Sequence, residues 1–189
     1  MAYTDEEILK KREAIREEKY NTLENGYYMD GKIINFKRKE LLETFTIFLP
    51  DTMKLMPESY ARVKYPSEFR PQKIFTTLDL SVNMGFTVFP SEIQSNEIQQ
   101  LSERMKSAIH RSNPDYQMYS TENLMDTKGY WFAFRSHAMD SDLYNMMLAI
   151  PMEMKLVQCS FNCSYKEYQK WEKVVLMMWE SIRALEEEI

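Results

Sequence analysis

The sequence predicts an α+β protein: a central antiparallel β-sheet covered by helices on both faces, an α/β/α sandwich. Three observations carry this. "TFTIFLP" and "VNMGFTVF" alternate with the period of a strand, placing Phe45, Ile47 and Leu49 on one face and Val82, Met84, Phe86 and Val88 on another. Residues Ser95 to His110 put Ile98, Leu101, Met105, Ala108 and Ile109 on one helical stripe, with polar residues opposite. "GYWFAFRSHAM" and "DLYNMMLAIPM" are apolar on both sides. A sheet with one wet face alternates more cleanly, so cover on both faces is expected.

The chain opens with a charged stretch. Thr4 and Glu7 have the spacing of a capping box, and a helix is expected to about Asn25. Its apolar positions are sparse: Ile8, Ile15 and Leu23. Residues 1–25 are therefore expected to form a solvated helical arm, and residues 26–189 a single domain. Asp30-Gly31 between apolar pairs signals a tight hairpin. "MPESYARVKYP" has room for one or two helical turns, with Pro57 at the first position and Pro66 ending them.

"KYPSEFRP" follows. Tyr65 and Arg70 each precede a proline, which pushes both toward extended conformations, so only Ser67, Glu68 and Phe69 can turn the chain. The segment is expected to be a rigid crossover into a strand starting near Lys73. Tyr65 or Phe69 would tuck under it, and Arg70 would bond a carbonyl or an acid. The competing reading is a partner-binding loop.

The second half is strand-rich. "YQMYSTEN" precedes the two doubly apolar strands, which an Asp140-Ser141-Asp142 turn would join. "KLVQCSFNC" follows. Four apart on a strand, Cys159 and Cys163 lie about 13 Å apart, too far for a disulfide, so two buried thiols are expected. Ser164 and Glu167 have capping-box spacing before the closing helix. Its apolar stripe is Tyr168, Trp171, Val174, Val175, Met178, Ile182 and Leu185, and it is expected to run to "EEEI".

Composition narrows the function classes. The 189 residues carry a net charge of −5, with a pI of about 5.3. Non-specific nucleic-acid binding needs a cationic surface, so no nucleic-acid partner is expected. No run approaches the ~18 apolar residues of a membrane span, and the charged start has no secretory-signal core. The protein reads as cytoplasmic, with no membrane partner.

Chemistry is thinly represented. Ser136, His137 and Asp140 fall in one short stretch, but Ser136 and His137 would face opposite sides of a strand, and no nucleophile-elbow glycines accompany them. No catalytic residue is therefore expected. His110, His137 and the cysteines lack zinc-site spacing, so neither metal nor cofactor is expected. The 15 methionines are more informative. Met146, Met147, Met152 and Met154 crowd one hairpin. Core filling explains many of them, while the functional reading is an apolar groove for a partner segment. Trp179 falls off the closing helix's stripe and is expected at the surface or against a second subunit of a homodimer. The candidate partner-binding residues are Tyr65, Phe69, Arg70, Met146, Met152 and Trp179.

The order of elements, with "F-x-I-x-L-P", Trp171 and Ser181-Ile182, resembles the PsbP-like superfamily over roughly residues 30 to 187. That superfamily includes DcrB-type and Mog-type proteins. The resemblance implies a central antiparallel sheet between helices, no active site, and a binding or assembly role with another protein. Some DcrB-like members act as chaperones for secreted bacterial effectors. The function expected is thus a non-enzymatic chaperone or adaptor for a secreted or toxic protein. The alternatives are an immunity-type inhibitor of a toxin, which the acidity suits, and a small-molecule enzyme without a familiar motif.

Overall fold

The structure, a computed structural model, describes residues 3–138 and 141–185. The chain runs α1 (Tyr3–Lys19), β1 (Asn21–Thr22), β2 (Gly26–Met29), β3 (Lys32–Ile34), β4 (Phe36–Leu41), β5 (Phe45–Pro50), β6 (Lys54–Leu55), α2 (Glu58–Lys64), β7 (Lys73–Thr76) and β8 (Asn83–Pro90). It continues with α3 (Ile98–Ser112), β9 (Gln117–Leu124), β10 (Gly129–His137), β11 (Asp142–Met152), β12 (Lys155–Ser164), α4 (Tyr168–Glu180) and β13 (Arg183–Ala184).

Seven strands form one antiparallel sheet in the order β6-β7-β8-β12-β11-β10-β9. Two three-stranded sheets, β1-β2-β3 and β13-β5-β4, complete the α+β architecture. The main core lies on one face of the large sheet. There Met84 and Phe86 of β8, Met146 and Leu148 of β11, and Cys159 and Phe161 of β12 meet Phe45, Ile47 and Leu49 of β5 and the inner stripe of α4. The Phe45 and Phe86 rings pack with centroids 5.9 Å apart. Each such fully buried side chain contributes about 1.5–3 kcal/mol. The expected alternations of β5 and β8 are therefore core alternations, and both cysteines are free and buried on this face. Burial pushes both thiols up, that of Cys163 to about 12, so neither is poised for nucleophilic work.

Local chemistry explains most boundaries. Asp30 and Gly31 have φ of 49° and 77°, the paired positive values that a two-residue hairpin between β2 and β3 requires. α1 ends at Lys19, short of the expected Asn25, because Asn21 and Thr22 pair with Tyr27 and Gly26, and Leu23 drops into the core. From Glu6 onward α1 is exposed. The Thr4 side chain, Met139, Asp140 and Glu186 to Ile189 lie outside the described residues.

Two expectations at α4 are corrected. Ser164 ends β12 and precedes a 3-10 turn over Tyr165–Glu167 without a side-chain cap bond, so it does not cap α4, and Glu167 instead pairs with Lys170 at 3.0 Å. The helix stops at Glu180. The Ser181 hydroxyl donates to the Met178 carbonyl at 2.6 Å and accepts the Phe48 N–H at 3.0 Å, which turns the chain so that β13 pairs with β5. Trp179 is also corrected. It sits four residues after Val175 and eight after Trp171, inside the apolar stripe, and is fully buried. Its indole N–H has no partner among the described residues.

Candidate functional site

Register defines what faces away from the main core. Asn83, Asn162, Asn145 and Phe134 lie side by side across β8, β12, β11 and β10. The next row is Gly85, Ser160, Met147 and Phe132, and the third is Thr87, Gln158, Ala149 and Tyr130. α3 packs against β9, β10 and β11, where the Ser102 hydroxyl donates to the Tyr130 carbonyl at 3.2 Å and Phe132 and Ala149 are buried. At the other end, α2 packs on β7 through a small separate core of Met56, Ala61 and Ile74, joined by Tyr65 and Leu80. Between these two covers lies a cleft of about 390 Å³. Its floor is Thr87, Gln158, Ser160 and Asn145, one wall is Tyr65, Pro66, Ser67, Phe69, Arg70 and Pro71, and Met147 and Phe134 form the opposite wall.

The Tyr65-to-Pro71 wall is held on both flanks. A Cβ on Gly85 would stand 2.5 Å from Pro71 Cγ and 2.6 Å from Ser160 Oγ, so the absence of a side chain at Gly85 lets Pro71 rest directly on the sheet. Past the Lys73–Phe86 pair, the Gln72 amide accepts the Val88 N–H at 3.1 Å and donates to the Val88 carbonyl at 3.4 Å, continuing the ladder with a side chain. Arg70 bonds Glu58 at 2.9 Å, and Arg62 bonds the same carboxylate at 3.0 Å. Arg62 and Arg70 together hold the Glu58 carboxyl below its usual range.

Tyr65 anchors the other flank through a chain of polar contacts. Its hydroxyl accepts from Asn162 Nδ2 at 2.9 Å, Asn162 Oδ1 accepts from Asn83 Nδ2 at 2.9 Å, and Asn83 Oδ1 accepts from the Thr76 hydroxyl at 2.8 Å. Burial raises the Tyr65 pKa, so the phenol keeps its proton. Phe69 does the opposite of tucking under: it is 96% exposed at the tip.

The sequence-derived candidates thus separate. Tyr65, Phe69 and Arg70 line one cleft. Met146 does not; it is fully buried on the core face, because adjacent strand residues point to opposite faces, and its neighbour Met147 takes the cleft position. Met152 shares Met146's face and packs, half-buried, against the main core. Gln158, Ser160 and Asn145 were not anticipated, although the alternation Gln158, Ser160, Asn162 between buried neighbours was legible in "LVQCSFNCS".

The Ser136–His137 stretch is not a relay. Ser136 accepts from Asn145 Nδ2 at 2.9 Å on the cleft side of the sheet. His137 lies on the opposite side, with Nδ1 2.6 Å from Asp142. Asp142 is also gripped by Arg135, whose guanidinium lies 4.3 Å from the Tyr165 ring centroid. Arg135, and after it His137, hold the Asp142 carboxyl low. Among the described residues no group of three metal-ligating side chains forms, and no helix is long and apolar enough to cross a membrane.

No protein-family model matches the chain, and no curated protein matches it significantly. Solved structures do. The chain superposes on cyanobacterial PsbP (CyanoP) of Synechocystis sp. PCC 6803 with a TM-score of 0.58 at 12% identity, covering 85% of this chain and 98% of that one. The Ran-binding protein Mog1p of Saccharomyces cerevisiae gives 0.54 at 10%, covering 79% and 95%. LpqN of Mycobacterium tuberculosis, involved in cell envelope biogenesis, gives 0.52 at 12%, covering 85% and 99%. The chain has the PsbP-like fold. At these identities the likeness is one of fold.

Proposed function

We propose that the chain is a non-enzymatic protein-binding module whose working surface is the cleft beneath the Tyr65–Pro71 crossover. One observation carries the reading: Phe69 is held 96% exposed at the tip of a segment whose flanks are fastened to the sheet. An aromatic side chain kept in water by a rigid scaffold is an interface anchor that gives up little conformational freedom on binding. The cleft lining supports a binding role over chemistry. Among the described residues it contains no carboxylate, imidazole or thiol, and Arg70 is already paired with Glu58. The fold supports it too, since one of the proteins that share it is a Ran-binding protein.

Chaperone or adaptor action on a secreted or toxic protein needs such a surface. Electrostatic blocking of a cationic nuclease fits this face less well, because the charged residues of the cleft lining, Lys64 and Arg70, are both cationic. The test is site-specific photo-cross-linking in the native host, with a benzophenone side chain at position 69 and a control at Met125, which is also exposed. A discrete protein adduct from position 69 alone is expected. Equal labelling at both positions, or none at 69, overturns the proposal.

A further inference from the structure

The chemistry of the cleft specifies what fits it. On the floor, Gln158, Ser160 and Asn162 follow one another along β12, all on the same face. Alternate residues of a strand are about 6.7 Å apart. An extended peptide lying edge-on presents a main-chain N–H and C=O pair toward the floor at the same repeat of about 6.7 Å, since every second residue points its amide to one side.

The floor groups are free to meet that edge. Asn162 is used internally, and passes its place to the Tyr65 hydroxyl, which accepts from Asn162 and keeps its own proton to donate. Asn145 spends its N–H donors on Ser136, Phe134 and Leu143, and among the described residues no hydrogen bond engages its oxygen. Among the described residues no hydrogen bond engages the Gln158 amide or the hydroxyls of Ser160 and Thr87. Gln158 offers a donor and an acceptor side by side, the pairing that a peptide group presents in return.

The walls take the side chains. An edge-on strand throws its side chains left and right. On one side stand Tyr65, Phe69 and Pro71, on the other Met147 and Phe134. The walls are largely apolar, and their two cations are already engaged: Arg70 is held by Glu58, and the Lys64 ammonium is turned to the Leu80 carbonyl. A cationic side chain entering here would lose water and meet no carboxylate in the lining, and an anionic one would meet only cations already bonded elsewhere.

Building on the protein-binding reading, we infer that the cleft receives an extended, uncharged segment of the partner protein, lying along β12 with its main-chain edge on Gln158, Ser160 and Tyr65. Apolar side chains of that segment contact Phe69 on one side and Met147 on the other.

The experiment is a titration of the 15N-labelled full chain, followed by NMR, with a capped, uncharged heptapeptide carrying a central Phe-Leu pair between serines and glycines. The same peptide N-methylated at every second amide is titrated in parallel, as is a neutral glucan oligosaccharide. The peptide is expected to shift the side-chain amide resonances of Gln158 and Asn145. Alternate N-methylation, placed on the floor-facing edge, is expected to abolish those shifts, and Gln158→Leu or Ser160→Ala to weaken binding several-fold while the spectrum stays folded. Equal binding of the N-methylated peptide overturns the inference, as does binding of the oligosaccharide in place of the peptide. If neither ligand binds while position 69 still cross-links a protein, the strand geometry falls and the protein-binding reading stands.

Discussion

Gly85 shows how one atom shapes the cleft. Pro71 occupies the volume a Cβ would need, so Gly85→Ala forces the crossover off the sheet. We expect a loss of about 1–3 kcal/mol in urea unfolding, the usual cost of overpacking. Trp179 makes the complementary case. Trp179→Ala opens a cavity in the main core and should cost about 3–5 kcal/mol. Trp179→Phe should cost distinctly less, because the indole N–H it removes has no partner among the described residues. The Glu58 pairing is electrostatic and exposed, so Arg70→Ala should leave the melting temperature nearly unchanged. The pH dependence has a definite sign. The folded Glu58 pKa is depressed, so its contribution is present above the ordinary carboxylate range and lost as pH falls through the lower folded value. Amide mobility at Phe69 should rise over that acid window, and Glu58→Gln should show the higher mobility at every pH.

Short segments end where a side chain intercepts the backbone. The closing helix looked continuous because its apolar stripe includes Ile182 and Leu185, yet the Ser181 hydroxyl bonds both Met178 and Phe48 and diverts the chain. Ser181→Ala leaves the Phe48 N–H without that acceptor, at a cost of about 1–2 kcal/mol. α1 is the opposite kind of element. Its residues from Glu6 to Lys19 are exposed, and its contacts are to β2. A chain starting at Tyr20 should therefore unfold with the same midpoint as the full chain. An element that buries no apolar face adds little to cooperative stability. The Tyr65–Pro71 crossover combines both behaviours. The proline pair was legible as a stiff corner, and Arg70 does bond an acid. Phe69's exposure was not legible, because it depends on Gly85 and Gln72 fastening the segment from residues outside it.

The whole molecule is a large antiparallel sheet with uneven cover. Periodicity revealed the sheet, both cysteines on one buried face, the Asp30-Gly31 hairpin and the position of α3, because each depends on neighbours in sequence. Strand order and the gap between α2 and α3 depend on long-range pairing, so the cleft was not visible in advance. The methionine-rich hairpin has two sides that counting does not separate: Met146 fills the core, and Met147 faces the cleft. That difference allows a direct test of whether the open part of the sheet is the binding surface. The measurement is the affinity of the partner captured at position 69 for wild type and for Met147→Glu, with melting temperature recorded for both. Binding weaker by about tenfold or more, some 1.4 kcal/mol, is expected, with the fold's stability retained. Unchanged affinity in a folded Met147→Glu protein would contradict it.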